Sequence, residues 1–209
     1  SVRQLDRNIK TSLFRRLPVA GQVKLSSTEN QTITPEDLIK DPYIFEFLNI
    51  PQPSDISETD LEKSLISHLQ NFLLEMGKGF AFVSRQFRIS TETSHFYIDL
   101  VFYNYLLKCF VIIDLKTGKL THQDIGQLDM YVRMFDDLKR SESDNPTVGI
   151  ILCSDKDETI VKYSILNDKK QLFAAEYFTY LPTEEELKKL VENDRYLIEQ
   201  KIKAARNED

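Results

Sequence analysis

Apolar side chains recur at three- and four-residue spacings in some stretches of the chain and alternate or run together in others, which separates helices from strands. Val2, Leu5, Ile9, Leu13 and Leu17 predict a helix over 1–17 that stops at Pro18. Residues 18–34 are polar and turn-rich and read as a linker. From Pro35 to Leu48 one or two short helices resume, with Thr34 as cap and Pro35 at the first helical position. Tyr43, Phe45, Phe47 and Leu48 form a dense apolar cluster there, and Pro51 and Pro53 then break the chain. A long helix follows from Thr59, where Thr59-x-x-Glu62 has capping-box spacing. Leu61, Leu65, Leu69, Phe72 and Met76 make its core stripe, and Gly77 and Gly79 end it.

Phe80 to Ile89 alternates well enough for a strand. The stretch His95–Gly118, HFYIDLVFYNYLLKCFVIIDLKTG, then reads as two strands joined by a turn near Asn104–Leu107. Alternation sets Ile98, Leu100 and Phe102 on one face and Tyr97, Asp99 and Val101 on the other. The second strand, from about Cys109 to Thr117, is apolar until Asp114-Leu115-Lys116. Thr121–Lys139 is a second amphipathic helix with Ile125, Leu128, Val132 and Phe135 inward. VGIILC, after Pro146 and Thr147, has the continuous apolar character of a strand covered on both faces. Residues 158–167 suit a short helix, Gln171–Phe178 a last strand and Thr183–Arg206 a charged terminal helix. The core order αβββαβ predicts an α/β fold with a mixed central β-sheet flanked by helices.

At 209 residues and 41% hydrophobic, the chain can bury one substantial core. No apolar run is long enough to span a bilayer and no charged-then-apolar leader is seen, so the expected setting is cytoplasmic. Cys109 and Cys153 lie in apolar strand-like runs and read as core thiols in a reducing compartment. His68, His95 and His122 are scattered without metal-ligand spacing, and neither a Gly-rich phosphate loop nor a serine elbow is present. The net charge of −6 argues against a wholly basic nucleic-acid binder. Residues 1–24, however, hold six basic residues and one acid, a net +5 that leaves −11 for the rest. Such a segment can touch phosphates, and a solvated helix face accounts for it equally well. With little around it to cover its stripe, the 1–17 helix reads as the end of a preceding domain or as a homodimer contact.

The chemistry gathers on the central hairpin. With the turn near Asn104–Leu107, Asp99 falls opposite about Ile112, within roughly two positions of Asp114. Asp114 and Lys116 share a face and Leu115 points to the other. Two desolvated carboxylates are costly without a compensating cation, and a hard divalent ion such as Mg²⁺ suits their oxygens. Asp-x-Lys alone is weak: Asp137-Leu138-Lys139 repeats it at the end of a helix. The apolar strand feeding Asp114 and the second acid on its partner distinguish the copy at 114–116, and an ordinary strand-end salt bridge is the competing account. Glu62 borders the core as either a capping acid or a metal ligand. Gln127 and Tyr131 are four apart on one helix face, as either site residues or a solvated polar face. Arg85 and Gln86 interrupt an apolar strand, either toward phosphate or merely exposed.

These segments together resemble the PD-(D/E)xK nuclease superfamily, with its restriction-endonuclease-like core, and more narrowly its bacterial YhcG-type family. DPYIFEFL, SETDLEKSLISHLQNFLLEMGKGFAFVSRQ, FYIDLVFYNYLLKCFVIIDLKTGKL, IGQLDMYV and NPTVGIILC carry the resemblance over roughly residues 38–180, in the right order. Asp114 stands where the family more often has Glu, an exchange that the motif allows. The resemblance implies a nuclease domain over 35–209, with 1–34 the tail of an amino-terminal domain. It implies hydrolysis of phosphodiester bonds, in DNA, with Mg²⁺ or Mn²⁺. Asp99 and Asp114 would bind the metal with the Leu115 carbonyl, and Glu62 would complete the site. Lys116 would act on the attacking water and the phosphate, and Gln127 would position water or backbone. Arg85, Gln86, Lys119 and Tyr131 are the candidate nucleic-acid contacts. The rival is the same fold kept as a catalytically silent module that binds nucleic acid or a protein partner.

Overall fold

The computed structural model describes residues 33–52, 56–91, 93–166 and 171–180, together with 5, 9–10, 13–17, 182–183, 185–186, 188–189 and 192. Six strands form one mixed sheet: β1 (Tyr43–Ile44), β2 (Phe80–Ser90), β3 (His95–Asn104), β4 (Cys109–Lys119), β5 (Val148–Asp155) and β6 (Leu172–Phe178). Their spatial order is β1-β6-β5-β4-β3-β2. β2, β3 and β4 are an antiparallel meander, whereas β4, β5, β6 and β1 run parallel. The described helices are α1 (Leu13–Arg16), α2 (Pro35–Leu38), α3 (Glu58–Ser67), α4 (Leu69–Met76), α5 (His122–Leu138) and α6 (Glu158–Lys162). The expected mixed sheet with flanking helices is therefore what the chain forms.

The sheet divides the interior in two. Leu61, Leu65, Phe72 and Met76 of α3 and α4 pack on Phe102, Ile113, Leu115, Ile150 and Leu152. On the other side Ile125, Leu128, Val132 and Phe135 of α5 pack on Val101, Ile112, Ile151 and Cys153. Successive β5 residues thus feed opposite layers, the reason that VGIILC carries no polar face. Both cysteines are buried free thiols.

Several elements differ from expectation. The first long helix begins at Glu58, with Ser57 as its cap accepting the Asp60 N–H, so Glu62 is not a capping acid. It also breaks at His68, which leaves the helical region at φ −111° and ψ 32°. Tyr43–Ile44, expected within a helical stretch, pairs in parallel with β6 as a buried edge strand. In β3, Leu100 and Phe102 face α3 and α4, whereas Ile98 packs with the α5 layer. The expected Ile98–Leu100–Phe102 face is therefore broken at Asp99, where the strand changes phase. Of the 1–17 helix, residues 5, 9–10 and 13–16 are helical, and of 183–206 the same holds at 185–186, 188–189 and 192. Apart from Leu17 and Thr183, the remaining positions of both stretches, and nearly all of the 18–34 linker, lie outside the described residues.

The basic amino-terminal stretch does not present all its charge to solvent. Arg16 is 2% exposed, and its guanidinium donates to Glu75 and, at 3.0 Å, to the Pro42 carbonyl. Glu75 also accepts the Ile44 N–H at 2.9 Å and faces the Lys40 ammonium at 3.4 Å. Removing one partner of a buried ion pair strands the others, at a cost of about 3–5 kcal/mol. Glu75→Ala is accordingly expected to lower the unfolding free energy by that amount, measured by urea unfolding.

α5 is seated on the sheet by the absence of a side chain. A Cβ at Gly149 would stand 2.7 Å from Val132 Cγ2 and 2.9 Å from Leu128 Cγ. Gly149→Ala must then lift the helix or distort its rotamers. We expect a loss of about 1–3 kcal/mol by thermal or chemical unfolding, with Gln127 on the same helix displaced.

Candidate active site

The turn between β3 and β4 spans Tyr105–Lys108, one residue later than expected. Asn104 is the cause: its side-chain carbonyl accepts the N–H groups of Leu106 (3.0 Å) and Leu107 (3.1 Å), making Asn104 the last strand residue. Leu100 then pairs with Ile113, and one step further the register sets Asp99 opposite Asp114 rather than Ile112. Instead of continuing the ladder, Asp99 Oδ2 accepts the Leu115 N–H at 2.9 Å. The two acids converge more closely than the sequence suggested.

Asp114 is 3% exposed. Its Oδ1 accepts from Gln127 Nε2 at 3.3 Å, and its Oδ2 lies 3.2 Å from Lys116 Nζ. That ion pair is off the hydrogen-bonding direction, so Oδ2 is a buried oxygen with no hydrogen bond. Burial pushes the Asp114 carboxyl up to about 6; Lys116 pulls it down and Asp99 pushes it further up. The Lys116 ammonium sits 3.6 Å from both Glu58 and Asp124. Burial disfavours its charge, but the fields of Asp114, Glu58 and Asp124 outweigh that and raise its pKa.

Glu58 and Asp124 were not anticipated. Glu58 lies four residues before Glu62, one turn along the same helix face. Asp124 is the third residue of α5 and accepts from the Thr121 cap at 2.9 Å while facing Lys116. Thr121-x-x-Asp124 is legible as a capping box, a motif whose acid is fixed at the helix entrance.

Glu62 is 3% exposed and accepts from the Gln86 amide, whose same nitrogen donates to Asp99 Oδ1 at 3.1 Å. Gln86, though exposed, therefore ties the helix acid to the strand acid. Arg85 is half-exposed and 3.9 Å from Glu62. Lys119 is exposed and paired with Asp157 at 2.9 Å. Of the two readings of Tyr131, the solvated face is not what forms: it is 6% exposed, packed edge-on against Phe96. Burial and the nearby Asp114 and Asp99 carboxylates raise its hydroxyl pKa.

The donor set suits a hard divalent ion. The Asp99 and Asp114 carboxylates offer hard oxygen donors, the ligand type that suits Mg²⁺ and Mn²⁺. Among the described residues, no three His, Cys, Asp or Glu side chains form a ready-made cage. No described helix is long and apolar enough to cross a membrane.

Comparison with known proteins adds to this geometry. "Putative nuclease YhcG" of Escherichia coli (strain K12) is 35% identical over 191 residues, covering 90% of this chain and 50% of its own length. The chain thus spans about half the length of that relative. Among solved structures, a repair endonuclease from Pyrococcus abyssi aligns with a TM-score of 0.42 and 17% identity, covering 58% of this chain and 46% of that one. A complex of EndoMS with double-stranded DNA aligns at a TM-score of 0.43 and 15% identity, covering 65% of this chain and 48% of that one. The family described as YhcG PDDEXK nuclease domain matches residues 36–192, strands, acids and lysine included, and the chain belongs to it.

Proposed function

We propose that this chain is a metal-dependent nuclease that hydrolyses phosphodiester bonds in DNA, using Mg²⁺ or Mn²⁺. The observation that carries the reading is the Asp99–Asp114–Lys116 cluster, with the buried Asp114 carboxylate 3.2 Å from the Lys116 ammonium. Asp99, Asp114 and the Leu115 carbonyl would hold the ion, and Glu62 would complete the set through water or directly. A bound divalent ion supplies Lewis acidity and lowers the pKa of its water. Gln127 fixes the Asp114 carboxylate by donating to Oδ1. Lys116, positioned by three acids, offers its ammonium to the charge that builds on the phosphate. Arg85, 3.9 Å from Glu62, and Lys119, at the end of β4, have half or more of their side-chain surface exposed and are the proposed phosphate contacts. Tyr131, being buried, is assigned to supporting the site from beneath.

The same reading divides the chain into a nuclease domain from 35 onward and a leading segment over 1–34, the tail of an amino-terminal domain. The span of the family match supports the division, and Arg16 and Leu17 of the leading segment dock on the domain.

The test is cleavage of supercoiled plasmid and of branched DNA with Mg²⁺ and with Mn²⁺, comparing wild type with Asp99→Ala. Metal-dependent cutting that vanishes in the variant is expected. Tight DNA binding without cutting by the wild type on any substrate would replace this reading by the silent binding module.

A further inference from the structure

We propose that Gln86 is a clamp that competes with the metal: its amide holds Glu62 to Asp99 in the metal-free protein, and it must release them for a cation to bind. The inference rests on the metal-dependent reading above and concerns the control of that same site. Its basis is local geometry. Asp99 has two oxygens; Oδ2 accepts the Leu115 N–H, and Oδ1 is the one turned toward Gln86 and Glu62. Gln86 Nε2 occupies that oxygen at 3.1 Å and donates to Glu62 as well. A carboxylate only accepts hydrogen bonds, so the amide must present its NH₂ to the two acids. An NH₂ group carries positive charge on its hydrogens, and there it stands in for a cation. Because its NH₂ sits between the two carboxylates, the amide and a cation bridging them would compete for the same space.

The backbone is built for this placement. Gln86 has φ +47°, the left-handed region that residues other than glycine seldom adopt in a strand. The β2–β3 ladder pairs Arg85 with Leu100 and Phe87 with Ile98 but omits the Gln86–Asp99 step between them. At that omitted step β3 also changes phase, so backbone pairing is given up on both strands where the side chains meet. Gln86 is itself exposed, so the amide can swing outward without disturbing the core. The strained conformation thus serves the contact between the acids and leaves the clamp free to open.

The experiment titrates purified, metal-stripped full chain with Mn²⁺ at pH 8 and reads free Mn²⁺ by electron paramagnetic resonance. Wild type, Gln86→Met and Gln86→Asn are compared, with thermal unfolding of each metal-free protein alongside. Methionine keeps the length and loses the donor; asparagine keeps the amide but is too short to span both acids. Both variants are expected to bind Mn²⁺ about tenfold more tightly, the size of one charge-assisted hydrogen bond no longer given up. Both should also melt lower without metal. Unchanged or weaker Mn²⁺ binding in folded variants would overturn the clamp while leaving the nuclease reading intact. A wild type that takes up no Mn²⁺ would overturn the metal-dependent reading itself, and the clamp with it.

Discussion

Lys116→Met is expected to lower the DNA cleavage rate by about 10²–10³-fold while leaving Mn²⁺ binding intact. The loss is the size seen when one preorganised electrostatic contact to the transition state is removed. Lys116 is fixed in place: its ammonium has Asp114, Glu58 and Asp124 at 3.2–3.6 Å, and only 17% of the side chain is exposed. Those acids keep the charge on and hold its direction, so none of that ordering remains to be done during the reaction. Methionine retains the length and apolar stem and removes the charge alone. Because a cation beside the proposed metal carboxylates opposes the metal, its loss should leave Mn²⁺ affinity equal or higher. Cleavage and Mn²⁺ titration on the same preparation separate the outcomes. Retained cleavage would make Lys116 a strand-end salt-bridge partner. Lost cleavage together with lost metal binding would make it a support for the acids.

The sequence carried the hairpin and its acids because a long apolar strand rarely ends in Asp-x-Lys beside a second acid. It carried the register less well. Pairing across a hairpin follows the turn, and moving the turn by one residue moves each partner by two. Asn104, strand-like in its apolar setting, is held at the turn entrance by its side chain, and the Asp99 partner shifts from Ile112 to Asp114. Glu58 went unseen because both Ser57 and Thr59 can cap a helix. Choosing Thr59 left Glu58 outside the helix and made Glu62 the capping acid. Tyr43–Ile44 is too short for any periodicity to register, and its strand character comes wholly from β6. Tyr131 and Gln86 show a further limit. A polar residue on an amphipathic helix or an edge strand reads equally as solvated or as part of a site; here one is buried near the acids and the other is bent onto them. Both departures occur at the acids, where local preference is overridden by what the site needs.

Asp114→Asn is expected to make the metal-free protein more stable at pH 7.5 and to abolish its stabilisation by Mn²⁺. The Asp114 carboxyl is raised to about 6 from an ordinary value of 3.8, burial being the main cause. The folded protein therefore holds this proton more tightly than the unfolded chain does. Below about pH 4 both states are protonated and the group is neutral in its effect. As pH rises toward and through 6, the unfolded chain ionises easily while the folded one must carry a buried charge, and stability falls. A shift of about two units corresponds to about 3 kcal/mol lost by pH 7. Asparagine does not titrate, so the variant should keep that free energy at pH 7.5 and match the wild type near pH 4. Lys116 retains Glu58 and Asp124 at 3.6 Å, so the substitution does not strand its charge. A divalent ion reverses the balance by compensating the carboxylate, and its affinity should weaken below pH 6, where it displaces a proton. Urea unfolding at pH 4.5 and 7.5, with chelator and with Mn²⁺, reads all of these. A variant less stable than wild type at pH 7.5 without metal would mean that Asp114 serves the fold through its salt bridge. The expected gain would mean instead that the buried charge is kept, at a cost to stability, for the cation it binds.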